Sequence, residues 1–171
     1  MRLLVIVISA IALTGQTAQA HSVGHNGKDI VKQYLYLKAN LDHAQSFLAE
    51  VDVWKVLPHQ HNVTVIADPD IKYHQNLARN SWNGILNLIP HRRQWKCIHH
   101  YEGSWQDSGS PYYGGLQMDL SFQRSYGYHF LASKGPANNW TPIEQMIVAE
   151  IAFNSRGFYP WPNTARYCGL I

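Results

Sequence analysis

The stretch Trp95-Lys96-Cys97-Ile98-His99-His100-Tyr101-Glu102-Gly103-Ser104-Trp105, followed by Tyr112-Tyr113-Gly114-Gly115-Leu116-Gln117-Met118, decides how the rest of the chain is read. Its first part, from Trp95 to Tyr101, has helical spacing, and Gly103 is placed to end that helix. Glu102 therefore falls at a helix-to-loop junction among Ile98, Tyr101 and Trp105, and the nearest other carboxylate in sequence is Asp107. A carboxyl group at such a junction can face a cleft, and one set among aromatic rings is suited to donate a proton to a leaving oxygen. The alternative is a helix-terminal glutamate in water. The second part is rich in turn signals, with Ser108-Gly109-Ser110-Pro111 ahead of it and Gly114-Gly115 within it.

Outward toward the C-terminus, Thr141-Pro142-Ile143-Glu144 is a capping box with proline at the first helical position. The helix it opens carries Ile143, Met146, Ile147 and Ile151 on one face and is expected to stop near Gly157, because Tyr159-Pro160-Trp161-Pro162 cannot continue it. Outward toward the N-terminus, Asp68-Pro69 reads as a cap and first turn, opening a helix from about Asp70 to Ile89 with Ala78, Trp82, Ile85 and Ile89 on one face. Before it, Ile30, Tyr34, Leu37, Leu41, Ala44, Leu48 and Val51 alternate four and three apart. That heptad pattern predicts a long amphipathic helix, with Asp29 placed to cap it. Pro58 lies beyond its end, His59-Gln60-His61-Asn62 reads as a turn, and the apolar run Val63 to Ala67 has no assignable structure. Two such helices can bury their stripes on each other as a hairpin over 29–90. The same heptad can instead mediate self-association or hold a protein partner.

At the N-terminus Arg2 precedes an apolar run, Leu3 to Leu13, and Ala18-Gln19-Ala20 closes it. A charged start, a short apolar run and an A-x-A site make residues 1–20 a signal peptide, with an uncleaved anchor as the competing reading. The run is too short to span a bilayer comfortably, and no other membrane-length stretch follows. Residues 21–28 read as a flexible lead. An exported chain of this kind allows a disulfide between its two cysteines, Cys97 and Cys168. Of the 171 residues only 15% are charged and 46% are hydrophobic, which argues against disorder. A net charge of +3 is too small to suggest nucleic acid.

The order of motifs from Trp95 through the YYGGLQ run, then Glu144 to Glu150, Trp161-Pro162 and Cys168-Gly169, resembles the transglycosylase-like domain of resuscitation-promoting factors. The stretch through Cys97, Ile98 and Glu102 is also similar to related actinobacterial lysozyme-like domains. The resemblance covers about residues 91–171. It implies a mainly α fold of the α+β lysozyme-like type, preceded by the helical hairpin. It implies a secreted, cell-wall-associated protein that cleaves peptidoglycan glycan strands, with Glu102 as the catalytic acid and Cys97 paired to Cys168. Against the resuscitation factors, about one extra helical turn separates the first cysteine from the glutamate, and the glutamate-to-tryptophan spacing is shorter. The family's cleft threonine is replaced by Phe122, with Ser121 adjacent.

Glycoside cleavage usually uses two carboxylates. A lytic transglycosylase works with one: its glutamate protonates the glycosidic oxygen and then takes the proton of the muramic acid C6 hydroxyl, leaving a 1,6-anhydro end. Asp119 can supply a second carboxylate for a lysozyme-type hydrolysis, or it can cap the helix that follows. Gln117 offers amide hydrogen bonds to a sugar, and Gly114 and Gly115 allow close backbone approach. Tyr112, Tyr113, Trp105 and Trp140 can pack on sugar faces or in the core. A catalytically weak wall-binding protein with the same cleft is a further reading. His59-x-His61, His99-His100 and the mature N-terminal His21 match no metal motif of the H-E-x-x-H type, so neither metal nor cofactor is expected.

Overall fold

The computed structural model describes residues 27–50 and 69–171 of the chain. The expected signal peptide, most of the expected lead before Gly27, Pro58 and the turn expected at His59-Gln60-His61-Asn62, the Val63–Ala67 run, Val51, Asp68 and His21 lie outside the described residues. The described chain is mainly helical. Its elements are α1 (Gly27–Glu50), α2 (Pro69–Asn87), α3 (Arg92–Glu102), β1 (Tyr112–Tyr113), β2 (Met118–Asp119), α4 (Leu120–Tyr126), α5 (Tyr128–Lys134), a short 3-10 turn (Ala137–Asn139), α6 (Pro142–Arg156) and α7 (Pro162–Tyr167).

The heptad stripe of α1 faces inward. Ile30, Tyr34 and Ala44 are buried, with Val31 beside them, and Leu37 and Leu41 pack partly buried against the core. Helix α1 packs against α2 as an intrachain hairpin. The two helices approach closely at Gly84, where an added Cβ would stand 3.0 Å from the Leu37 side chain. Two local expectations change. Asp29 lies within the first turn of α1 rather than ahead of it, where its charge still complements the helix dipole. Trp82 is 44% exposed, and Ser81, one position earlier, takes the buried place on α2. The inward face of α2 runs through Ser81 and Ile85, with Ile89 buried just past the helix end at Asn87, and a bulky indole at position 82 falls outside it.

The hairpin is not a separate layer. Ile30, Val31, Tyr34, Ile85 and Ile89 belong to one continuous core with Trp95, Ile98, Leu116, Met118, Phe130, Trp140, Ile147 and Trp161. Full burial of each isoleucine contributes about 1.5–3 kcal/mol, so the hairpin braces the C-terminal region energetically as well as spatially.

Helix α6 is the centre of that core. Thr141 Oγ1 accepts from the Glu144 N–H, and the Glu144 carboxylate accepts from the Thr141 N–H, which completes the predicted capping box. The helix ends at Gly157. The single apolar face expected for it is too narrow a description: every residue from Glu144 to Glu150 is buried. Three polar side chains therefore go inside, and each is fully engaged. Glu144 accepts from Tyr34 Oη and Lys134 Nζ. Glu150 accepts from Trp95 Nε1 at 2.7 Å and His91 Nδ1 at 2.6 Å, which fixes the hydrogen of that imidazole on Nδ1. Gln145 is treated below. Burial works against the Glu144 charge, yet Lys134, the Thr141 N–H and Tyr34 outweigh it and hold the carboxyl below the usual glutamate range. Burial and the adjacent Glu144 charge in turn push the Tyr34 hydroxyl up.

Candidate functional site

Helix α3 presents Glu102 at its last position, and Gly103 at φ 140° terminates it. Only glycine adopts that backbone without strain, so the helix stops at the carboxylate. The Cys97–Cys168 disulfide joins α3 to the end of α7, with the two Cα atoms 6.0 Å apart. The helices lie antiparallel at this join. Tyr101 meets Tyr167, ring centroids 5.6 Å apart, and Glu102 meets Thr164 one turn before Cys168. Thr164 Oγ1 donates to Glu102 Oε1 at 2.8 Å, and the Trp161 carbonyl lies 3.4 Å from the same hydroxyl. A threonine so placed serves both forms of the glutamate. It donates to the carboxylate, and it can accept from the protonated acid while donating to Trp161.

Glu102 is partly buried. The aromatic enclosure expected around it is only partial, because Tyr101 is 52% exposed and Trp105 is stacked on His99 with centroids 3.8 Å apart.

Beside this pair lies a groove of about 280 Å³ lined by Tyr112, Gln117, Asp119, Phe122, Tyr126 and Trp161, with Met118, Ser121, Ser125, Arg156 and Pro160 completing it. Glu102 is not in its lining. Two contacts join the two places. Trp161 receives the Thr164 hydroxyl, and Gln117 Nε2 would lie 3.8 Å from a Cβ at Gly103. The hairpin of β1 and β2 supplies one wall, with Tyr112 opposite Asp119 and Tyr113 opposite Met118. Its four-residue connection needs positive φ at Gly114 (75°) and at Gln117 (47°). For glutamine that conformation costs of order 1 kcal/mol, and it is held by Gln117 Nε2 donating to Asp107 Oδ2 and to the Gly114 carbonyl.

Of the residues expected to meet a ligand, Tyr112, Gln117 and Asp119 reach the groove, and Tyr112 is 50% exposed. Asp119 caps α4, its Oδ1 accepting from the Phe122 N–H at 2.7 Å. Five others have different work. Trp140 is 2% exposed, packs on Phe130 and donates to the Gly135 carbonyl, so its ring cannot stack on a ligand. Gly114 and Gly115 are buried, and their missing side chains make room for protein. A Cβ at Gly114 would stand 2.5 Å from Gln145 Oε1, and one at Gly115 2.5 Å from His99 Nδ1. Tyr113 is half-buried against the core, and Trp105 stands on His99.

Gln145 holds this region together from α6. Its Oε1 accepts from the Gly115 N–H, and its Nε2 donates to the carbonyls of Trp105, Ala137 and Trp140. Sequence reasoning missed Thr164, Gln145, Arg156 and Tyr126; Phe122, which the resemblance puts at the cleft-threonine position, lines the groove with Ser121 and packs on Tyr126, ring centroids 4.8 Å apart. Thr164 was reachable from the cysteines: once Cys168 is paired antiparallel to Cys97, one turn back from the first meets one turn on from the second.

Among the described residues no cluster of three or more His, Cys, Asp or Glu side chains stands ready to hold a metal ion. His99 is committed to the Gly115 carbonyl at 3.1 Å. No protein-family model, curated protein or solved structure matches the chain.

Proposed function

We propose that the chain is a secreted, lysozyme-like enzyme that cleaves the β-1,4 bond between N-acetylmuramic acid and N-acetylglucosamine in peptidoglycan, with Glu102 as general acid and then base. The observation that carries this reading is the 2.8 Å contact of Thr164 Oγ1 with Glu102 Oε1, beside a groove walled by aromatic rings and hydroxyls. Glu102 protonates the glycosidic oxygen and then accepts the proton of the C6 hydroxyl, which attacks C1 to give the 1,6-anhydro end. Thr164 holds the carboxyl through both steps.

The single-carboxylate route is favoured over a lysozyme-type hydrolysis because Asp119 is committed to capping α4. The disulfide suits an oxidising, extracellular setting. Digestion of purified peptidoglycan, with mass spectrometry of the fragments, separates the readings. Anhydro ends are the expected product. Reducing ends identify the hydrolase, and retained binding without fragments identifies a wall-binding protein.

A further inference from the structure

Arg156 is the last residue of α6, and its side chain lines the groove. It is exposed and makes no ion pair with any described residue. A cation at a helix C-terminus complements the dipole, but that does not require it to face a groove. The same groove is lined by Tyr112, Phe122 and Tyr126, which carry rings, and by Ser121 and Ser125, which carry hydroxyls. The Ser125 hydroxyl donates back to the Ser121 carbonyl, which leaves its oxygen able to accept. Rings with polar groups at their edges complement a pyranose, which has apolar C–H faces and a rim of hydroxyls. The other charged group in the lining, Asp119, is held by the Phe122 N–H and does not pair with Arg156. The guanidinium is thus a charge, paired with no described carboxylate, in a groove lined by rings and hydroxyls.

We propose that this groove takes an acidic saccharide, with Arg156 pairing a carboxylate carried on the sugar. The proposal rests on the glycan-cleaving reading and deepens it: the protein distinguishes muramic acid strands from neutral β-1,4 glycans of N-acetylglucosamine. A planar guanidinium matches a carboxylate in a two-point contact that an ammonium cannot copy. Because Arg156 is exposed, the pair is screened, and a preference of about fivefold in affinity is expected.

The test is titration calorimetry in the Glu102→Gln background, so that turnover does not obscure the heat. The probes are a neutral N-acetylglucosamine tetramer and a peptide-free tetramer alternating N-acetylglucosamine with N-acetylmuramic acid, whose lactyl carboxylates are free. The acidic tetramer should bind about fivefold tighter, and added salt should erode that margin. Arg156→Gln should abolish the margin by weakening the acidic tetramer about fivefold more than the neutral one, and Arg156→Lys should restore it only in part. Equal binding of the two probes, a margin that survives Arg156→Gln, or no binding of either overturns the proposal. Peptidoglycan digestion by the wild-type chain is run alongside. Fragments together with an Arg156-independent preference remove this inference and leave the enzyme. No fragments together with an Arg156-dependent preference remove the enzyme and leave the groove's assignment.

Discussion

Replacing Gln145 with leucine should cost the fold more than any comparable change on α6. Gln145 is fully buried, and its amide is the sole side chain joining α6 to the Gly115 and Trp105 backbones among the described contacts. Leucine fills much of the same space but offers no polar atom. The Gly115 N–H loses its 2.9 Å acceptor, and the carbonyls of Trp105 and Trp140 lose donors at 2.8 and 3.2 Å. The Ala137 carbonyl keeps the Trp140 N–H at 3.0 Å and is not stranded. A buried polar group left without a partner costs about 1–3 kcal/mol. The amide has two hydrogens, so the 3.2 Å contact to Trp140 is a shared one, and two stranded groups, offset by the burial of leucine, give an expected loss of about 2–4 kcal/mol. Denaturant unfolding of the oxidised protein measures it, with Met146→Leu as a volume-matched neighbour expected to cost under about 1.5 kcal/mol. A loss below about 1 kcal/mol for Gln145→Leu would mean that water or relaxed backbone satisfies these groups, and the reasoning would fail.

Thr164→Val should slow glycan cleavage about tenfold with binding little changed, and Thr164→Ser should recover most of the rate, as a hydroxyl bonded to a charged group is worth about 1.5–3 kcal/mol. Reducing the disulfide, or the paired change of Cys97 and Cys168 to serine, should cost about 4 kcal/mol by the chain-entropy argument for a separation of 71 residues, read as a lowered unfolding midpoint. Because the Glu144 carboxyl is held below its ordinary value, it adds stability above the unfolded glutamate pKa, and that stability is lost as pH falls through the folded value. Unfolding free energies measured from about pH 7 down to about pH 3 should therefore fall more steeply for wild type than for Glu144→Gln.

The parts of the fold legible in the sequence are those set by local signals. The heptad gave α1 its face, Thr141-Pro142-Ile143-Glu144 gave α6 its start, and Gly103 and Gly157 marked two helix ends. The disulfide followed from two cysteines in a chain whose N-terminus reads as an export signal, and from the resemblance. What could not be read was set by partners distant in sequence. Periodicity assigned α6 one apolar face, but a central helix is wrapped on all sides, and its polar residues are satisfied by Tyr34, His91, Trp95 and Gly115 from elsewhere in the chain. Trp82 was placed inward because its indole is apolar, yet the rotation of α2 gives that place to Ser81. For the same reason Gly114 and Gly115 were assigned to a ligand. A glycine's need for space is visible in sequence, but whether Gln145, His99 or a sugar fills that space is not.

The most direct measurement of the central claim is the digestion of purified peptidoglycan by wild type and Glu102→Gln, with wall binding recorded on the same samples. The glutamine keeps the shape and can still accept from Thr164 Oγ1, but it cannot give a proton to the glycosidic oxygen. The account predicts anhydro-ended fragments from wild type, none from the variant, and similar binding by both. Fragments released equally by the two proteins would contradict it.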